Sequence, residues 1–161
     1  MHLRSHTTEP HMDRIHYVHL LVMTVVSFIA MYVLMYAMVD VIGNVHPNFN
    51  QLYMAGMMTA PMVVIELTLM GAMYRNKRAN AVIIVASVVA LIAFFVAIRQ
   101  QAAISDKQFL KSMIPHHASA ILMCGKAPLH DADIKQLCKS IVSGQQKEID
   151  QMKAKLRELE R

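Results

Sequence analysis

The chain has 161 residues, of which 55% are hydrophobic and 17% are charged. Soluble globular domains average about 45–50% apolar and about 25% charged residues, so this composition is shifted toward that of a membrane protein. The 16 basic and 11 acidic residues give a net charge of +5, but the excess forms no basic stripe, which argues against a nucleic-acid partner. With two cysteines, a disulfide-stapled miniprotein is excluded.

Three apolar stretches follow in chain order, at about residues 17–39, 51–73 and 81–98. Their only acidic or basic residue is Glu66, in the second stretch. A membrane-spanning helix needs about 20 mostly apolar residues, and none of the three stretches has the polar stripe of a helix in a soluble bundle. The sequence therefore predicts three transmembrane helices.

The basic residues near the ends of these stretches predict their orientation. Arg4 and Arg14 precede the first stretch, the first loop has no Lys or Arg, and the second loop has Arg75, Lys77 and Arg78. By the positive-inside rule the N-terminus and the second loop are cytoplasmic, and the C-terminal region is outside. We expect a multi-pass protein of the bacterial inner membrane with a periplasmic C-terminal domain.

The predicted organisation is a cytoplasmic arm (1–16), a transmembrane region (17–98) and an extracytoplasmic domain (99–161). Pro10 interrupts any helix in the arm. The arm is either a solvated tail or a loose metal-binding segment, because histidines recur along it and into the first stretch: His2, His6, His11, His16 and His19.

The extracytoplasmic domain is predicted to be a helical hairpin. Ser105 precedes a first helix, Gly125 and Pro128 mark its end, and Asp131 or Asp133 begins a second helix. Such a hairpin buries little apolar surface, so we expect two copies to form a four-helix bundle across a homodimer. The predicted fold class is all-α.

Two features of the hairpin point to metal chemistry. Met113, His116 and His117 lie within about one turn around Pro115, and thioether with imidazole favours a soft or borderline ion such as copper. Glu148 occupies an apolar position of the second helix, where a carboxylate needs a cation, a charged histidine or a metal. The alternatives are a core methionine with two surface histidines, and a register in which Glu148 reaches water.

The cysteines are placed by a turn centred near Pro128. That register sets Cys138 opposite His117 and offsets it from Cys124 by roughly 9 Å. Because a disulfide needs Cα atoms about 4.4–6.8 Å apart, an intrachain bridge is not expected. A bridge across a dimer, a thiol ligand at Cys138 and two small buried side chains remain open.

The motif Asp106-x-x-Phe109-x-x-x-Met113-x-x-His116-His117-x-x-Ala120, with Gln145-x-x-Glu148-Ile149-x-x-Met152 downstream, resembles the bacterial family of domains of unknown function numbered 305. The resemblance implies a ferritin-like helical domain that is exported or membrane-anchored, with copper binding in some members. Many members have two such hairpins, which implies a site completed by dimerisation here. The ligand positions implied by the resemblance are Met113, His116, His117, Met123 and Met152.

The second apolar stretch also carries a possible route for ions. Met54, Met58 and Met62 share one helix face, and a carboxylate such as Glu66 within a span marks a functional site or reaches the interface. Methionine is also an ordinary packing residue. No role is assigned to His46 in the first loop.

The sequence therefore predicts a membrane-anchored copper-binding protein that acts in buffering, tolerance or handover to a metal-handling partner of the envelope. The alternatives are a cation transporter that uses the methionine face and Glu66, and a metal-free oligomerisation scaffold. We do not expect an enzyme, because the hairpin lacks the Glu-x-x-His pairs of di-metal bundles, and no phosphate loop or nucleophile elbow is present.

Overall fold

The computed structural model describes the backbone of residues 9–161 and the side chains of residues 14–161. Over this part of the chain the protein is all-helical and has no strands, which confirms the predicted fold class. Two 3-10 helices, Met35–Met38 and Ile42–Asn44, precede the second α-helix. The α-helices are α1 (Glu9–Leu34), α2 (Phe49–Leu69), α3 (Lys77–Arg99), α4 (Asp106–Lys126) and α5 (Ala132–Leu159).

Three helical stretches are long and apolar enough to cross a membrane, as the sequence predicts. They are Arg14–Met38, Phe49–Leu69 and Lys77–Arg99. α1 begins at Glu9, so Pro10 lies in its first turn and the described part of the arm is helical from there on. Proline is tolerated there since the first N–H groups of a helix have no intrahelical partner. His2, His6 and the side chain of His11 lie outside the described residues.

The chain divides into two compact units. The first contains the residues up to Tyr32 together with Tyr53–Gln100, and we call it the span unit. The second contains Val33–Leu52 together with Gln101–Arg161, and we call it the hairpin unit. The loop between α1 and α2 is thus part of the hairpin unit, a grouping that sequence patterns did not indicate.

The span unit has a small apolar core that closes with polar contacts. Leu20 of α1 and Leu67 of α2 pack with Tyr74, which precedes α3, in one buried cluster. The Tyr17 hydroxyl donates a hydrogen bond to Asn80 Oδ1 at 2.6 Å. The beginning of α1 is therefore fixed against the connection between α2 and α3.

Both helices of the hairpin begin at N-cap residues that the sequence predicts. The Ser105 hydroxyl accepts a hydrogen bond from the N–H of Gln108, and the Asp131 carboxylate accepts one from the N–H of Ile134 at 2.9 Å. Gly125, predicted to follow the first helix, instead lies inside α4. The chain leaves that helix through an extended residue at Ala127, so no left-handed glycine is required.

The core of the hairpin unit combines α4, α5 and the first loop. Ile114 and Ile149 face each other across the hairpin with no exposed surface, and full burial of such a side chain contributes about 1.5–3 kcal/mol. Val39 from the first loop packs against this cluster. Asn48 is buried, accepts from the N–H of Gln51 at 2.9 Å and donates to the carbonyl of Lys111 at 3.4 Å. The first loop therefore covers part of the apolar surface of the hairpin, whereas the sequence analysis expected a second copy of the chain to cover that surface.

Candidate functional site

The hairpin places an imidazole between a carbonyl and a carboxylate. His117 on α4 contacts the carbonyl oxygen of Met113 through Nδ1 at 2.9 Å and Glu148 Oε2 on α5 through Nε2 at 2.8 Å. Both ring nitrogens therefore have an oxygen partner, a backbone carbonyl on one side and a carboxylate on the other. The His117 side chain is 12% exposed, whereas that of Glu148 is 56% exposed. Glu148 thus reaches water and also has a histidine partner.

The contact between His117 and Glu148 fixes which residues of α4 and α5 lie at the same level of the hairpin. In an antiparallel hairpin, a step of one turn back along α4 matches a step of one turn forward along α5. Met113 therefore lies level with Met152, one turn from the level of His117 and Glu148. Met113 is half-buried, and Met152 packs against the hairpin core. We call Met113, His117, Glu148 and Met152 the His117 strip.

The other predicted ligands lie apart from this strip. His116 is exposed, and its ring centroid is 6.1 Å from that of His117. Met123 is 51% exposed and lies six residues beyond His117, about 9 Å along the helix. Cys138 lies ten residues before Glu148, about 15 Å along α5. Of the predicted set, the structure brings His117 into contact with Glu148 and with the Met113 carbonyl, the helix register puts Met152 one turn away, and the other three residues lie apart.

The expectation that no intrachain disulfide forms was wrong. Cys124 and Cys138 are joined by a disulfide, with their Cα atoms 5.2 Å apart. The midpoint between the two cysteines is residue 131, three residues beyond Pro128, because the chain stays non-helical until Asp131 caps α5. The shift moves Cys138 away from the level of His117, where Glu148 makes the contact, and the bridge removes Cys138 from the possible thiolate ligands while it is intact.

The donor types on the strip restrict which ion it suits. Among the described residues, no group of three or more His, Cys, Asp or Glu side chains has the arrangement of a metal site. Zn²⁺ in structural sites takes four nitrogen, sulfur or oxygen ligands from such groups, which the strip does not supply. Its remaining donors are the thioethers of Met113 and Met152, and thioethers favour Cu(I). By donor type alone, these thioethers match the preferences of a soft ion better than those of Mg²⁺ or Ca²⁺.

A second polar region of the hairpin unit was missed by sequence reasoning. The His46 carbonyl accepts a hydrogen bond from the Tyr36 hydroxyl at 2.8 Å, while His46 Nε2 is buried without a hydrogen-bond partner. Burial lowers the pKa of His46, and the charges of Lys153 and Lys111 lower this pKa further against an opposing effect of Glu160. No local pattern marks this region, because its members come from three separate segments.

In the span unit, Glu66 has a partner. The Tyr74 hydroxyl donates to Glu66 Oε1 at 3.3 Å. Burial raises the pKa of Tyr74, and the neighbouring carboxylate raises this pKa further. Met58 is 41% exposed, whereas Met54 and Met62 are half-buried. The ion route along the methionine face and Glu66 stays a prediction.

Comparison with known proteins places this hairpin in a family. Residues 94–156, which include α4 and most of α5, match the family model described as "Domain of unknown function (DUF305)". The chain is also 36% identical over 142 residues to an uncharacterized protein of Acanthamoeba polyphaga mimivirus, covering 86% of this chain and 91% of that protein. The chain belongs to the DUF305 family. Because the viral relative aligns over far more than the hairpin, the likeness of this DUF305 protein extends into the helices that are long and apolar enough to cross a membrane. No solved structure matches the chain.

Proposed function

We propose that this DUF305 protein is a membrane-anchored binding protein for Cu(I) or a similarly soft cation, with the His117 strip as its site. One observation carries the proposal: the contact of Nδ1 with the Met113 carbonyl directs Nε2 of His117 at the Glu148 carboxylate. Histidines that bind metals almost always donate from their other ring nitrogen to a backbone carbonyl, a carboxylate or water.

A cation at the strip replaces the direct contact between His117 Nε2 and Glu148 Oε2. Nε2 and the carboxylate bind the cation from two helices, and the thioethers of Met113 and Met152 supply the soft donors. Such a site binds and releases an ion without chemical conversion. This fits buffering, tolerance or handover to an envelope partner, and no enzymatic activity is proposed.

The proposal includes a second copy of the chain. The hairpin leaves large apolar side chains exposed on both helices, and a four-helix, ferritin-like bundle across a homodimer would cover them. Exposed apolar surface of this kind supports an interaction site. The exposed side chains are Phe109, Met123, Ile134 and Leu137.

The proposed location of the hairpin is the extracytoplasmic side of a bacterial inner membrane. The basic second loop, with Arg75, Lys77 and Arg78, supports a cytoplasmic position for that loop. The disulfide between Cys124 and Cys138 supports an oxidising compartment for the hairpin, because cytosolic thiols are kept reduced.

The test compares two adjacent histidines in the full-length chain, purified in detergent with its disulfide intact. Cu(I) is titrated against a competing chelator while the mass of the protein in solution is recorded. We expect His117→Ala to weaken Cu(I) binding at least about tenfold, the range seen when even the supporting partners of a metal ligand are removed. His116→Ala is the matched control and should change affinity less than about twofold, because its exposed ring lies outside the strip.

Equal affinities of the two variants would contradict the assignment to the strip. A dimer that binds no Cu(I) would instead favour the metal-free scaffold. Zn²⁺ serves as the ion control, and we expect it to bind more weakly than Cu(I) because the strip lacks a third ligand of the type that Zn²⁺ prefers.

A further inference from the structure

The disulfide of the hairpin borders an open pocket. This pocket has a volume of about 510 Å³ and is lined by both cysteines together with Lys135, Lys139 and Val142. Cys124 and Cys138 are half-buried and not enclosed. We call it the disulfide pocket, and it lies about 15 Å along α5 from the His117 strip.

We infer that reduction of the Cys124–Cys138 disulfide creates a second cation site, a two-thiolate site for Cu(I) or Ag(I) in the disulfide pocket. This site is separate from the His117 strip and does not depend on the function proposed for it.

The first step is reduction by a dithiol, the chemical class of the required co-reactant. One thiolate of the dithiol attacks a sulfur of the bridge, forms a mixed disulfide and releases the other cysteine. The second thiol of the dithiol then attacks the mixed disulfide and releases the first cysteine. The dithiol becomes a disulfide, and Cys124 and Cys138 become thiols with two added electrons and two added protons. The open pocket gives the attacking sulfur access to the bridge.

The second step is binding of the ion without further redox change. The two thiols lose their protons to the solvent, and both sulfurs bind one monovalent cation. Their Cα atoms lie 5.2 Å apart in the bridged hairpin, so both thiols begin on one side of the hairpin and close together. Thiolate ligands select soft cations.

The pocket also favours the charge and the coordination number of this complex. Two thiolates and one monovalent cation carry a net charge of −1, which the ammonium groups of Lys135 and Lys139 offset. No third His, Cys, Asp or Glu joins the two cysteines in a metal-site arrangement among the described residues. Cu(I) and Ag(I) are stable with two thiolates, whereas Zn²⁺ is almost always held by four ligands in such sites.

The experiment counts bound cations on the full-length chain in detergent, before and after reduction with a phosphine that is then removed without air. Ag(I) is the probe, titrated against a competing ligand, and Cu(I) is the repeat. We expect the reduced chain to bind one more cation per chain than the oxidised chain. The joint variant Cys124→Ser with Cys138→Ser should bind equally in both conditions, and His117→Ala with Met113→Ala should retain the increment.

No increment in the wild type, or an increment that survives in the serine variant, would overturn the inference. If the serine variant loses its helical content, reduced wild type alkylated with iodoacetamide replaces it and must lose the increment. Failure of the His117 strip appears separately, as an affinity that His117→Ala leaves unchanged in the oxidised chain.

The lysines provide an independent check on where the second cation binds. We expect Lys135→Gln and Lys139→Gln each to weaken binding of the second cation about two- to fivefold, because an attraction between exposed charges contributes little to affinity. Lys147→Gln, an exposed lysine of the same helix outside the pocket, is the matched control and should leave the affinity unchanged. Equal effects of all three would overturn the placement of the ion in the pocket.

Discussion

Two histidines of the hairpin unit differ in the partners of their ring nitrogens. His117 contacts the Met113 carbonyl and the Glu148 carboxylate, one at each ring nitrogen. His46 has a buried Nε2 without a partner and lies near Lys111 and Lys153, so burial and these two charges lower the pKa of His46.

The lowered pKa of His46 predicts how the stability of the hairpin unit responds to acid. The pKa of folded His46 lies below its ordinary value of 6.5. As the pH falls below 6.5, the unfolded chain binds a proton that the folded chain still excludes, so the free energy of unfolding decreases until the pH passes the folded pKa. At pH values above 6.5 His46 is neutral in both states, and the free energy of unfolding has lost nothing to its protonation.

The measurement is the thermal unfolding midpoint of the detergent-purified chain over this pH range. His46→Gln should show a smaller decrease with acid than the wild type, because the glutamine takes up no proton. His130→Gln, in the exposed connection between α4 and α5, is the control and should keep the wild-type slope. If His46→Gln also keeps that slope, protonation of another group causes the acid response.

At the scale of elements, the register of the hairpin decides which side chains meet. Its caps were readable from the sequence, since Ser105 and Asp131 are typical N-cap residues and occupy those positions. The turn between the helices was not readable, because Gly125 and Pro128 mark only where α4 stops. The turn centre lies three residues beyond the expected position at Pro128. This difference changes which residue lies opposite His117 and brings Cys124 within bridging distance of Cys138.

The bridge predicts a stability difference between oxidised and reduced chains. The cysteines are 14 residues apart in sequence, and closing a loop of about 15 residues stabilises by about 3 kcal/mol, mainly by restricting the unfolded chain. We therefore expect reduction to lower the free energy of unfolding of the hairpin unit, measured by the amide hydrogen exchange of α4 and α5. The joint Cys124→Ser and Cys138→Ser variant should have the stability of the reduced wild type, with and without the reductant. A wild type whose stability is also unchanged by the reductant would contradict the prediction.

At the scale of the whole molecule, contacts within the units agree with three crossings of a membrane. Three spans put the first loop and the C-terminal hairpin on one side, and the structure packs both in one unit, with Asn48 of the loop donating to Lys111 of the hairpin. Three spans also put the beginning of α1 and the second loop on one side. The contact of Tyr17 with Asn80, at the beginning of α3, joins those two segments.

Reporter fusions in a bacterial host test this topology. Alkaline phosphatase, which is active only outside the cytoplasm, is fused after Val45, after Asn76 or after Arg161. We expect activity from the first and third fusions and none from the second, because the positive-inside rule holds the basic second loop in the cytoplasm. The opposite pattern would reverse the proposed orientation, and activity that differs between the first and third fusions would contradict three spans.

The sequence by itself determined the helical class, the three spans and both caps of the hairpin. These depend on local composition and periodicity, which do not require knowledge of distant neighbours. The sequence and its family resemblance also marked seven candidate metal ligands, a prediction that no contact to a metal tests: Met113, His116, His117, Met123, Cys138, Glu148 and Met152.

Only the tertiary structure decided which of the marked residues lie together, that the cysteines pair, and that the first loop covers the hairpin. The physical reason is that register and docking depend on the fit between segments far apart in sequence. The length of one turn sets that fit for Cys124 and Cys138. For His46, the fit depends on a contact between the first loop and lysines of α4 and α5, two helices that lie far downstream, and no pattern along the chain reveals this contact.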